Sequence, residues 1–136
     1  MKRHKIKALL LIAHGSGNQD SNDEIHALTR LLRTSFSTRP KNSLDEKFAF
    51  VDCAFLELTD PDIATAIDSL VREGVTEITV LPYFLAKGNH INKDIPAKIS
   101  VTQIRFPSIT VNSIPHIGKA ADMPDLLIRH LQDYTR

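Results

Sequence analysis

The sequence contains one cysteine, Cys53, in 136 residues. A lone thiol closes no intramolecular disulfide and supplies no cysteine-ligated zinc or iron–sulfur cluster within one chain. Because it sits in the apolar run from Phe48 to Leu56, it reads as a buried structural thiol and not as a nucleophile. Excess charge of either sign is missing too. Lys and Arg number 17 against 16 Asp and Glu, a formal net charge of +1, so no overall field draws the chain to nucleic acid or to an anionic membrane. Any anion site must be local. Long hydrophobic runs are also lacking: the basic start from Met1 to Lys7 leads into the short run Ala8 to Ala13, too brief to span a bilayer. That run ends at His14 without the small-residue pattern of a signal cleavage site, so it reads as a buried strand and the chain is expected in the cytoplasm. Repeats and low-complexity tracts are absent, and the one candidate flexible insert runs from Thr38 to Glu46, rich in Pro, Lys, Asn and Ser.

What is present is ordinary for a globular chain, 42% hydrophobic and 24% charged, and the length suits one hydrophobic core, hence one domain over residues 1–136. Short apolar, β-branched runs alternate with amphipathic stretches, the pattern of a parallel α/β sheet. Strands are predicted at Lys5 to Ala13, Phe48 to Phe55, Val75 to Leu81 and Ser108 to Ile114. Helices are predicted from about Asp20 to Phe36, with Ile25, Leu28, Leu31 and Leu32 on one face, from Pro61 to Gly74, from Ile95 to Gln103, and from Asp122 to Tyr134. The second helix has Asp60 as expected cap, Pro61 in its first turn, a stripe of Ile63, Ala66, Ile67, Leu70 and Val71, and Gly74 at its end. Asp94 and Pro96 mark the start of the third. The fold expected is a doubly wound domain with a four-stranded, mainly parallel sheet flanked by helices, whose ligand crevice lies beyond the carboxyl ends of the strands. Functional side chains should therefore follow strands.

Of six histidines, His4 lies near a terminus and His26 and His130 fall in helices, which suits surface or packing roles. His14 directly follows the first strand in His14-Gly15-Ser16-Gly17; by itself the dipeptide fits a hydrogen-bonded turn as well as it fits a ligand. His90 lies in the polar stretch from Lys87 to Lys93 after the third strand. In a doubly wound sheet the first and third strands can be neighbours, so His14 and His90 can converge, and two neutral imidazoles bind Fe2+, Co2+, Ni2+ or Zn2+ while leaving positions open. His116, after the fourth strand, passes the same filter but follows a candidate edge strand and Pro115. Glu57 closes the second strand among apolar neighbours, where a carboxylate can accept protons or complete a metal shell; its alternative role, capping the second helix, is the one Asp60 is expected to fill.

Four segments in order carry a family resemblance. They are Leu11-Ile12-Ala13-His14-Gly15-Ser16 with Asn22 beyond; Ala54-Phe55-Leu56-Glu57 with Pro61; Leu81-Pro82-Tyr83-Phe84-Leu85 running through Gly88-Asn89-His90-Ile91 to Asp94-Ile95-Pro96; and Ile114-Pro115 with Gly118. With these the sequence resembles the short CbiX-type sirohydrochlorin chelatases of the class II chelatase group. The resemblance implies a lyase that inserts Co2+, Fe2+ or Ni2+ into sirohydrochlorin for cobalamin, siroheme or a related tetrapyrrole, with no organic cofactor. It implies His14 and His90 as metal ligands, and a homodimer that imitates the longer two-lobed enzymes. Ser16, Gly17, Phe84, Lys87, Gly88 and Asn89 become candidate ring contacts, with Lys87, Lys93 and the backbone N–H groups of Ser16 and Gly17 facing substrate carboxylates. Two departures stand out: Gly17 occupies the place where such chelatases carry Arg after His-Gly-Ser, and a histidine-rich tail is absent.

Insertion exchanges two ring N–H protons for M2+, so the expected mechanism has His14 and His90 holding the ion loosely, Glu57 taking protons or assisting as ligand, and the ring nitrogens displacing them stepwise. Imidazole ligates only when neutral, so activity should fall at acidic pH. A metallochaperone-like domain that never engages a ring uses the same histidines. A phosphotransfer protein with His14 as nucleophile fits less well, since the loop has neither an arginine cluster nor a Walker-type phosphate loop.

Overall fold

The computed structural model describes residues 5–38 and 48–135, and of His90 and Ile91 the backbone only. Most of the expected Thr38 to Glu46 loop and His4 lie outside the described residues.

Four strands, β1 (Lys7–Ala13), β2 (Phe50–Phe55), β3 (Glu77–Pro82) and β4 (Thr110–Ser113), alternate with helices α1 (Gln19–Thr38), α2 (Ile63–Arg72), α3 (Ile95–Arg105) and α4 (Met123–Tyr134). The strand order is β2-β1-β3-β4, and each of the three pairings is parallel. The sheet among the described residues is thus wholly parallel, where the sequence predicted a mainly parallel one. The chain steps outward from β1 to β2, then returns past β1 to β3 and continues to β4. That reversal places a crevice at the carboxyl ends of β1 and β3, the point where doubly wound sheets take ligands.

As an interior strand covered on both faces, β1 is apolar almost throughout. Ala8, Leu10 and Ile12 join Ile63, Ile67 and Leu70 of α2 and Ile95 of α3 in one core layer. Leu9, Leu11 and Ala13 join Cys53 and Phe55 on the other face, with Ile25, Leu28, Leu32 and Phe36 of α1 packed against them. Leu31, expected on that α1 face, is instead exposed: the layer is closed by residues at i, i+3, i+7 and i+11, and Leu31 falls off that line. Cys53 is buried, with Sγ 3.4 Å from His26 Nδ1, and desolvation pushes its thiol above the usual range. It is the structural thiol expected.

The second helix begins later than predicted. Asp62, not Asp60, caps it, its carboxylate accepting the Thr65 N–H at 2.8 Å, because a capping oxygen must reach an N–H two or three residues on. Pro61 therefore precedes the helix, following a cis peptide bond from Asp60, and its carbonyl accepts the Phe55 N–H. Between β3 and α3 the polar stretch winds into a π-helical turn, His90–Asp94. Asp94 is already helical there and makes no side-chain capping bond. Strand β4 is a short edge strand with mostly exposed residues, as anticipated.

Candidate functional site

The rim beyond β1 and β2 is built from backbone first. The ladder continues past the strands, with the Leu56 N–H bonded to Ala13 O at 3.0 Å and the Glu57 N–H to His14 O at 3.1 Å. His14 and Glu57 therefore leave the sheet side by side. Between them the backbones meet so closely that a Cβ on Gly15, at φ +91°, would lie 1.9 Å from the Glu57 carbonyl oxygen. Only glycine fits that position.

With the backbones so placed, the side chains meet: His14 Nε2 lies 2.7 Å from Glu57 Oε1. The two side chains are 42% and 52% exposed, and a polar contact that wet contributes roughly 0–1 kcal/mol. Its consequence is local: the carboxylate accepts from the ring and fixes where imidazole Nε2 points. Glu57 does not cap α2, a role Asp62 holds.

The loop after His14 is held by a buried residue. Asn22, in the first turn of α1, accepts the Ser16 N–H at 3.0 Å and donates to Ser16 O at 2.8 Å, while Ser16 Oγ accepts the Asn18 N–H at 2.9 Å. The Ser16 N–H and carbonyl are thus both engaged by Asn22, which corrects the expectation that its N–H receives a substrate carboxylate. Gly17 is exposed, with open space around it.

An open cavity of about 300 Å3 lies over this loop, lined among others by His14, Ser16, Asn22, Phe55, Tyr83 and Phe84. Phe84 is half-buried and packs on the core. The Tyr83 N–H bonds Ile12 O at 2.8 Å, so the chain leaving β3 passes next to His14. Lys87, Gly88 and Asn89 are exposed on the continuation of that loop, and His90 opens the π-helical turn. Gly118 clasps the loop from the other side: its N–H bonds Phe84 O at 3.0 Å, and a Cβ there would lie 1.8 Å from Leu85 O. His116, half-buried, stands just before a 3-10 turn, Ile117–Lys119, and is not among the residues lining the His14 cavity. Among the described residues, no three His, Cys, Asp or Glu side chains gather as a ready metal cluster.

Residues 8–134 match the family model of CbiX. The chain belongs to the CbiX family. A sirohydrochlorin cobaltochelatase of Priestia megaterium is 26% identical over 133 residues, 98% of this chain and 40% of that one. A sirohydrochlorin ferrochelatase of Bacillus subtilis is 26% identical, over 93% of this chain and 45% of its own. The chain thus spans less than half the length of these curated relatives. A CbiX protein of Marinobacter aquaeolei VT8 superposes with a TM-score of 0.75 at 25% identity, over 93% of this chain and 95% of that one. The sirohydrochlorin chelatase SirB of Bacillus subtilis subspecies spizizenii, in complex with cobalt, superposes with a TM-score of 0.76 at 26% identity, over 96% of this chain and 52% of that one. The four-stranded, doubly wound sheet is therefore the CbiX-type fold that the sequence resemblance implied.

The place of Tyr83 in the lining of the His14 cavity and the buried role of Asn22 emerge from the fold. Asn22 carries a readable signal, an amide on the core-facing side of an amphipathic helix directly after a His-Gly-Ser turn.

Proposed function

We propose that this CbiX-family chain inserts a divalent metal ion, Co2+, Fe2+ or Ni2+, into sirohydrochlorin, with the metal as substrate and no organic cofactor. The observation that carries this reading is the 2.7 Å contact of His14 Nε2 with Glu57 Oε1 on the rim beyond β1 and β2, with His14 at the end of the strand that borders the switch point. Two ligands about 2.1 Å from a metal and at right angles to each other stand about 3.0 Å apart, so an ion replacing the shared proton requires only a small opening of the pair. His90 is the second imidazole in this reading. Its turn follows β3, the hydrogen-bonded neighbour of β1, so both histidines belong to loops on one rim.

Two imidazoles and one carboxylate hold an ion while leaving sites for ring nitrogens. As the ring takes the metal, its two N–H protons must leave: the Glu57 carboxylate, released from the ion beside His14, takes one and solvent water at this exposed rim takes the other. Phe84 and the exposed Gly17, Lys87, Gly88 and Asn89 are the proposed ring contacts, with the lysine and the Gly17 N–H available to substrate carboxylates.

The partner proposed is a second copy of the chain. Helix α4 has no buried residue, and Leu126, Leu127, Ile128 and Leu131 are exposed on it. Beside it runs an apolar groove of about 450 Å3 lined by leucines of β1, α1 and β3. An apolar surface of this kind favours burial in an interface. Among the described residues no helix is long and apolar enough to cross a membrane. A cytoplasmic location belongs to the same proposal, in keeping with the free buried thiol of Cys53.

Anaerobic incubation with sirohydrochlorin and each metal in turn, followed by visible absorbance, tests the activity. A rate above the uncatalysed background with at least one ion is expected. Tetrapyrrole or metal binding with background rates for all three would instead support a metallochaperone-like domain.

A further inference from the structure

Among the described residues three polar side chains are buried, Asn22, Thr29 and Thr102. The two threonines satisfy their hydroxyls on the carbonyl four residues back in their own helices, an ordinary local solution. Asn22 does something else. At 2% exposure it reaches out of α1 and turns both its amide oxygen, as acceptor, and its amide nitrogen, as donor, on a single residue, Ser16.

Ser16 is two residues from His14, and the intervening Gly15 is pressed against the Glu57 carbonyl. The His14 carbonyl is tied to the Glu57 N–H on the sheet side. The turn is therefore pinned at both ends, by the β2 extension at His14 and by Asn22 at Ser16. With both ends fixed, the imidazole has little freedom except about its own side-chain torsions, and the carboxylate contact limits those. Without Asn22 the Ser16 end is released, and the turn can lift from Glu57.

We infer that Asn22 is a positioning residue, holding His14 against Glu57 by clamping the Ser16 peptide groups and so setting the geometry in which the metal is captured. The metal part of this inference rests on the proposed chelatase reading; the clamp itself does not. Metal sites depend on such outer partners, whose loss typically lowers metal affinity about 10- to 100-fold.

The test uses the full chain with Asn22→Ala and Asn22→Asp and two readouts, the His14–Glu57 separation in a crystal structure and Co2+ affinity by titration with Co2+ alone. Asp keeps the size and the acceptor for the Ser16 N–H but loses the donor to its carbonyl, so it carries the test if the alanine variant does not fold. The expected result is a contact opened beyond hydrogen-bond range with Co2+ affinity down about 10-fold in Asn22→Ala, and a smaller loss in Asn22→Asp. A contact still near 2.7 Å in both variants overturns the inference, whether or not the affinity changes. An opened contact with wild-type Co2+ affinity supports the clamp and sinks the metal reading of the pair.

Discussion

Replacing Gly15 with Ala adds one methyl group at the most crowded point of the rim. The backbone there has φ +91°, and holding an L-residue in left-handed space costs roughly 1–2 kcal/mol. The new Cβ would also lie 1.9 Å from Glu57 O and 3.3 Å from Phe55 Cβ. The oxygen is backbone on a buried strand's extension and cannot swing aside, so the loops must separate, at the 1–3 kcal/mol typical of overpacking. Together the two effects come to about 3 kcal/mol, a drop in Tm of about 10 °C for a chain of this size. Thermal unfolding followed by circular dichroism measures it. The separation also carries Glu57 away from His14, so insertion should fall at temperatures where the variant is still folded. Gly17→Ala is the matched control, since nothing lies within 4 Å of its added Cβ; its Tm should stay within about 2 °C of wild type. A Gly15→Ala protein with wild-type Tm and insertion rate would refute the close-approach account of this turn.

Removing the α2 cap with Asp62→Ala should cost about 1 kcal/mol in urea denaturation at neutral pH. Bonding from the Thr65 backbone N–H holds the Asp62 carboxyl below its usual range, so its contribution is present above the ordinary carboxylate range and is lost as pH falls through the lowered folded value; the gap between variant and wild type should close in strong acid. Cys53, buried and with its thiol pushed up by desolvation, should react with iodoacetamide much more slowly in native protein at pH 8 than in denaturant, as read by mass spectrometry. Leu127→Asp with Leu131→Asp, at positions 56% and 60% exposed, should leave the Tm of dilute protein close to wild type yet lower the sedimenting mass to that of one chain; an unchanged mass would remove α4 from the interface.

Much of this architecture was legible in the sequence because its signals are local. The apolar β1 run, the α2 stripe and the strand-loop alternation report burial and period directly, and the strand-end rule then placed His14 and Glu57 on one rim. What the sequence left open depends on distances between separate segments. Asp60 and Asp62 are equally good caps on paper, and only the path through Pro61 decides between them. Leu31 looks like a core residue until the packing of α1 is set. Ser16 offers an N–H that a turn of this composition often presents to anions, but Asn22 consumes it, a pairing invisible without the fold. The direct bond between His14 and Glu57 belongs to the same class, joining residues 43 positions apart through a strand pairing that no local pattern encodes.

In the proposed reaction His14, held by Glu57, handles the metal during insertion. The most direct measurement is the initial rate of Co2+ insertion into sirohydrochlorin by wild type and His14→Ala, followed by visible absorbance without oxygen, with thermal unfolding of both as the check on folding. His14→Ala is expected to show the uncatalysed background rate at a Tm close to wild type, since the exposed contact it loses contributes little to stability. Wild-type turnover by a folded His14→Ala protein would contradict that role.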